Sequence, residues 1–214
     1  MSDFKPCMVN LTGKKSVVVG GGTVAARKVA GLLDAGCHVK VISPFLCEEL
    51  RERIGEFEFE QRKFESGDTA GAFVVIAATD SPEVNKRVCD EGRDHVPFLN
   101  IVDNQELSNF FFPTVVERGP LQIAISTTGT SPSVAKKIRV KLEKEFGIEY
   151  QEYLETIGKL RSDIIKKCHD LGMDSDVKKA LLRQLAEDEW LDAFKAGDQK
   201  KVDALIAGVW ASFV

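Results

Sequence analysis

A glycine turn near the start of this chain has the residue types and spacing to hold phosphate. Residues 17–25 read V-V-V-G-G-G-T-V-A, a β-branched run followed by three glycines and the start of a helical pattern. In that setting Gly20 makes a tight turn, Gly22 lets a pyrophosphate approach the backbone, and Ala25 permits close helix–strand packing. The amides of Gly22, Thr23 and Val24 then point at the phosphates from a helix N-terminus, where the dipole favours negative charge. A glycine-rich loop without a ligand has the same local pattern, so the surroundings decide. The acidic residue that usually grips the adenosine ribose is missing from the end of the next strand, where Ser43-Pro44-Phe45 stands. A serine hydroxyl and backbone groups can still bind a ribose, without the discrimination of NAD from NADP that a carboxylate gives. Further on, A-A-T-D-S-P-E-V-N sets Thr79 and Asp80 at the carboxyl edge of a strand, the usual ligand crevice of such sheets. The same Asp80-Ser81-Pro82 also reads as a helix cap with proline in the first turn.

These residues need a frame, and the apolar periodicity supplies one. Short strands at 15–20, 38–43, 56–60, 73–78 and 98–102 are separated by helical patterns at 23–35, 45–54 and 82–93. Alternation of this kind predicts an α/β fold, a Rossmann-like parallel sheet covered on both faces. After about Asn104 the pattern changes. S-N-F-F-F-P and L-Q-I-A-I-S read as two strands joined by a turn at E-R-G-P, and from Ser131 onward helices are predicted at 133–146, 150–170, 175–194 and 199–214, broken at Gly147, Gly172 and Gly197. The expected organisation is therefore a nucleotide-binding domain over 1–112, a β element with a connecting helix over 113–147, and a helical domain over 148–214.

The 214 residues carry a net charge of −4, which argues against a sequence-independent nucleic-acid binder. No run approaches the roughly 18–20 apolar residues that span a bilayer, and the N-terminus lacks a signal-peptide core, so a cytoplasmic protein without membrane association is expected. Five scattered cysteines form no C-x-x-C pair, and the three histidines His38, His95 and His169 form no i,i+4 pair, so no metal site is expected.

Taken together, V-V-V-G-G-G-T-V-A-A-R-K, A-A-T-D-S-P-E-V-N, N-I-V-D-N, F-F-F-P and A-I-S-T-T-G-T-S-P resemble the siroheme-biosynthesis dehydrogenase family. The likeness is to the stand-alone precorrin-2 dehydrogenases and the amino-terminal module of siroheme synthase. The motifs fall in the family's order between Lys15 and Leu142, whereas the tail is similar in character only. The resemblance implies NAD-dependent oxidation of precorrin-2, a tetrapyrrole, to sirohydrochlorin in a homodimer whose β element serves dimerisation and whose helical regions help form the cleft. Some relatives also insert ferrous iron. In 214 residues there is no room for the methyltransferase fused to the longest relatives, so precorrin-2 is expected from a separate enzyme.

The oxidation removes a hydride and a proton. Asp103, at the sheet's carboxyl edge, matches the aspartate the family treats as important to catalysis, to accept a proton or orient the substrate; structurally, Asp103 and Asn104 also suit a plain turn. Precorrin-2 carries many carboxylates, for which Ser126, Thr127, Thr128 and Gly129 offer hydroxyls and amides ahead of a helix. In the same loop Ser131 suits an N-cap and Pro132 the first helical position. Thr127 aligns with a serine that can be phosphorylated in a fused relative. Lys136 and Lys137, with Arg139 and Lys141, either bind propionates and acetates or form a solvated face opposite Val134, Ile138 and Leu142. A bifunctional dehydrogenase and ferrochelatase, and an NAD-sensing module without turnover, are the alternatives. A polycarboxylate enzyme requires basic groups beside the nicotinamide end of the cleft, and a sensor does not.

Overall fold

Five of the apolar runs pair into one parallel sheet: β1 (Lys15–Val19), β2 (His38–Ile42), β3 (Glu58–Glu60), β4 (Val74–Ala77) and β5 (Phe98–Ile101). The order β3-β2-β1-β4-β5 reverses direction between β1 and β4. That reversal opens a crevice at the carboxyl ends of the strands, where ligands of doubly wound sheets bind. Helix α1 (Thr23–Asp34) covers one face, burying Ala25, Val29 and Leu32 against Val18, Val41 and Ile76. Helix α3 (Pro82–Gly92) covers the other, with Val88 and Cys89 against Val17, Val75 and Leu99. Every strand residue of β4 is buried, as expected for a strand packed on both faces. The Rossmann-like expectation is met.

The computed structural model describes residues 4–213, and its Cα positions fall into two compact units divided between Phe112 and Pro113. In the second unit β6 (Thr114–Arg118) and β7 (Leu121–Ile125) form an antiparallel hairpin. The helices α4 (Pro132–Glu145), α5 (Glu149–Asp170), α6 (Ser175–Gln184), α7 (Asp188–Ala196) and α8 (Gln199–Ala211) follow. Leu160, Ile164, Leu181, Leu185, Trp190 and Val209 form the helical core. The hairpin and the helices on either side of residue 147 belong to one unit. Among the described residues no helix is long and apolar enough to cross a membrane.

Three predicted elements differ, each for a local reason. The helix expected over 45–54 shrinks to α2 (Glu48–Arg51), because Cys47 N–H donates to Gly21 O at 2.7 Å and draws 45–47 across the glycine turn in extended form. S-N-F-F-F-P is not a strand: Phe110 stacks edge-to-face on Phe98 and Phe112, Pro113 lacks a donor, and the hairpin begins only at Thr114. The helix expected over 175–194 breaks before Asp188, so that Trp190 enters the core and its indole N–H donates to Gln184 O, 2.9 Å away, at the end of α6.

Candidate functional site

The glycine turn sits at the sheet's reversal and is built for close approach. Gly20 has φ +124°, and a Cβ there would lie 2.2 Å from Ala78 O, so only glycine passes between β1 and β4 at this point. A Cβ on Gly21 would lie 1.9 Å from Phe45 O, which makes Gly21 a structural necessity that the sequence pattern alone does not single out. Gly22 differs: a Cβ there meets nothing within 4 Å. Its glycine identity is not required by the protein's own packing, and it keeps space open over the start of α1. Gly22 occupies the N-cap of α1, no side chain accepts from the first-turn amides, and no acidic residue lies in that turn. Amides of the first turn have no carbonyl partner within a helix, so Thr23 and Val24 present donors and a positive dipole end suited to phosphate. The residues fit the diphosphate of a dinucleotide.

The flanking positions are arranged around this turn. Ser43 is buried, and its hydroxyl accepts from Phe45 N–H at 3.4 Å, fastening the turn after β2 and leaving Pro44 and Phe45 exposed at the edge. Thr79 Oγ1 donates to Asn85 Oδ1 at 2.7 Å and accepts from Ser81 N–H at 3.2 Å. Asn85 thereby holds the loop after β4, a role visible only in three dimensions. Asp80 is exposed, while Ser81 accepts from Val84 N–H and Pro82 occupies the first turn of α3, so the cap reading of this segment holds.

Asp103 stands at the carboxyl edge in a left-handed conformation, φ +60°. For a residue with a Cβ this is uncommon and costs about 1–3 kcal/mol, and such strain clusters at functional sites. The surrounding turn holds it there. Val102 N–H donates to Ala77 O and Asn104 N–H to Ile101 O, while Ser108 Oγ accepts from Ile101 N–H at 2.9 Å and donates to Asn104 O at 2.6 Å. Buried Asn100 secures the far side through Phe110 O at 3.1 Å.

Between α1 and this turn lies a cleft of about 430 Å³ whose walls include Val24, Arg27, Lys28, Asp103 and Phe112. Lys28 Nζ lies 5.3 Å from the centre of the Phe112 ring. Burial pushes the Lys28 ammonium below its ordinary value, Arg27 adds to the shift, and Asp103 opposes it. Two cations thus face one carboxylate. Arg27 and Lys28 escaped the site prediction, although their spacing from Val24 and Gly31 on one helical face is a signal that could have found them.

In the second unit the loop 126–132 turns on Thr128 at φ +47° and Gly129 at φ +80°. Ser126 Oγ accepts from Thr128 N–H (3.0 Å), Thr127 Oγ1 from Ser131 N–H (3.2 Å) and Ser131 Oγ from Val134 N–H (3.4 Å). Ser131 is the N-cap of α4 and Pro132 its first residue, as that reading of the sequence expects. Lys136 and Lys137 are exposed and form no ion pair among the described residues, whereas Arg139 pairs with Glu143. The expected apolar stripe of α4 is not a core face: Val134 and Ile138 are 47% and 38% exposed, and Ala135 is the residue α4 buries. Among the described residues no three His, Cys, Asp or Glu side chains cluster to hold a metal ion.

Residues 7–114 match a family described as putative NAD(P)-binding, and residues 118–145 match the sirohaem biosynthesis protein central family. The chain is 43% identical over 143 residues to a siroheme synthase of Photorhabdus laumondii, covering 66% of this chain and 30% of that protein. It is 32% identical over 206 residues to a siroheme synthase of Pseudomonas paraeruginosa, covering 95% of this chain and 43% of the relative. The chain thus spans less than half the length of these curated relatives. Among solved structures it is similar to SirC, a precorrin-2 dehydrogenase, with a TM-score of 0.81 and 27% identity over 97% of this chain and all of that one.

Proposed function

We propose, from the premise that this chain belongs to the NAD(P)-binding family of precorrin-2 dehydrogenases and siroheme synthase amino-terminal modules, that it oxidises precorrin-2 to sirohydrochlorin with NAD. The observation that carries the reading is the cleft beside Asp103, where Arg27 and Lys28 supply the basic groups that a polycarboxylate substrate requires and a nucleotide sensor does not. A dinucleotide held by its diphosphate at the glycine turn would supply the hydride acceptor through its oxidised nicotinamide.

The chain's own residues would do the rest. Gly22, Thr23 and Val24 hold the diphosphate at the start of α1, while the edge formed by Ser43, Pro44 and Phe45 receives the adenosine ribose. Thr79 and Asp80, at the carboxyl edge after β4, would border the nicotinamide end. Asp103 takes the proton released as the macrocycle loses its hydride, or orients the carbon that loses it, and the turn held by Ser108 sets the backbone from which its carboxylate projects. Arg27 and Lys28 anchor acetate or propionate groups by charge-assisted hydrogen bonds. Ser126, Thr127, Thr128, Gly129, Lys136 and Lys137 are proposed to hold further carboxylates. Homodimerisation is supported by Val115, Val134, Ile138 and Val140, apolar side chains left exposed on β6 and α4. A soluble cytoplasmic setting accords with a small-molecule substrate.

The test is anaerobic turnover of precorrin-2 with NAD, followed by addition of ferrous ion once sirohydrochlorin has formed. Sirohydrochlorin formation without metal insertion is the expected result. Metal insertion above the uncatalysed rate would add a chelatase activity, and NAD binding without any oxidation would replace the enzyme reading with the sensor.

A further inference from the structure

At the ribose end of the proposed dinucleotide site lies a group of charges that no step of the oxidation uses. The ends of β2 and β3 are tied together here: Ser43 N–H donates to Glu60 O at 3.2 Å, and Gln61 Nε2 donates to Pro44 O at 3.4 Å. Just past β3, Arg62 grips Asp68 with both guanidinium nitrogens, Nη1 to Oδ2 at 2.8 Å and Nη2 to Oδ1 at 2.7 Å. The same guanidinium bonds Glu60, which also pairs with Lys40, and Lys40 reaches Glu58 at 3.6 Å. Asp68 is anchored in turn, since its Oδ2 accepts from Glu65 N–H at 2.8 Å and its side chain is only 9% exposed.

Two consequences follow from this arrangement. Arg–carboxylate forks are the strong form of ion pair, so the guanidinium's donor edge is engaged before any ligand arrives. The two cations Lys40 and Arg62 also face the three carboxylates of Glu58, Glu60 and Asp68, so each already has carboxylate partners. Lys63, next along the chain, is exposed, where its charge is screened. In folds of this kind the ribose 2′-hydroxyl lies by the end of the second strand, and an arginine nearby accommodates the 2′-phosphate of NADP. The chain has such an arginine, but it is already held.

We infer that the Asp68–Arg62 pair sets coenzyme choice, withholding the guanidinium from a 2′-phosphate and so admitting NAD while disfavouring NADP. This rests on the glycine turn being a dinucleotide site. Asp68→Asn keeps the shape and removes the charge that holds Arg62.

The experiment is equilibrium titration of the full chain with NAD and with NADP by calorimetry, for wild type, Asp68→Asn, Arg62→Met and the double variant. Asp68→Asn is expected to tighten NADP binding about tenfold or more while NAD affinity moves by less than about twofold. Arg62→Met alone should leave the ratio of the two Kd values near that of wild type, and in the Asp68→Asn background it should remove the gain. Glu60→Gln, which frees the other side of the guanidinium, should move the ratio in the same direction by less, and it carries the test should Asp68→Asn unfold. An unchanged ratio in folded releasing variants overturns the inference alone, as does loss of NADP affinity in Arg62→Met. A wild type that binds neither dinucleotide overturns the reading of the turn as well.

Discussion

Helices α1 and α4 both begin just after a strand and a glycine-bearing turn, yet their first turns are furnished in opposite ways. At α1 the cap is Gly22, with no side chain on the first amides and open space above them. At α4 the cap is Ser131, whose hydroxyl accepts from Val134 N–H while Thr127 closes onto Ser131 N–H. Each start also has a left-handed non-glycine nearby, Asp103 in the first unit and Thr128 in the second. Equal dipoles therefore do not make equal sites. A helix that caps itself gives an arriving anion fewer donors and asks it to compete with a hydroxyl, whereas a bare glycine start leaves its donors to the ligand. On this argument the start of α1 suits a phosphate better than the start of α4, whose loop is closed by its own hydrogen bonds.

The largest test of that division removes charge at the strained turn. Asp103→Asn tolerates the left-handed backbone and is expected to lower turnover by about a hundred- to ten-thousandfold with NAD affinity unchanged, read by steady-state kinetics alongside calorimetry. Next comes Gly22→Asp, which meets no protein atom at its Cβ and should fold normally. It should nonetheless raise the Kd for NAD by about a hundredfold or more, because a carboxylate then faces the diphosphate. Unaltered affinity would remove the asymmetry between the two helix starts. Arg27→Ala and Lys28→Ala should each raise the KM for precorrin-2 by about tenfold with smaller effects on kcat, since each removes a charged hydrogen bond to the substrate. If Lys136→Ala and Lys137→Ala raised it more, the second unit would be the main carboxylate site. Ser131→Ala should cost about 1 kcal/mol in denaturant unfolding and leave the Kd for NAD unmoved.

The smallest expected effect lies away from both helix starts. Hydrogen bonds from Arg62 hold the Asp68 carboxyl below its ordinary range. A depressed folded value stabilises fully above the unfolded pKa, near 3.9, and that stability is lost as pH falls through the folded value. The gap in urea midpoint between wild type and Asp68→Asn should therefore narrow below about pH 4.

Much of this was legible in the sequence where one residue type answers one physical demand. The parallel sheet followed from β-branched runs alternating with helical periods, and the breaks at Gly172 and Gly197 from the glycines themselves, both of which turn left-handed in the structure. What escaped depended on contacts distant in the chain. Phe45–Cys47 has the composition of a helix start, but the hydrogen bond to Gly21 overrides it. Trp190 splits a helix because its indole finds a carbonyl on the preceding one. Arg27 and Lys28 look like ordinary helix cations until the turn at Asp103 is set opposite them, and Val134 and Ile138 look like a core stripe although they remain exposed.

We propose that this chain passes a hydride from a tetrapyrrole to NAD. The most direct test counts NADH formed against sirohydrochlorin formed in an anaerobic reaction of enzyme, precorrin-2 and NAD. Equal amounts are expected, and with NAD held below the Kd of the variant, Gly22→Asp should form both far more slowly than wild type. Sirohydrochlorin appearing without matching NADH, or at the same rate with the variant, would contradict it.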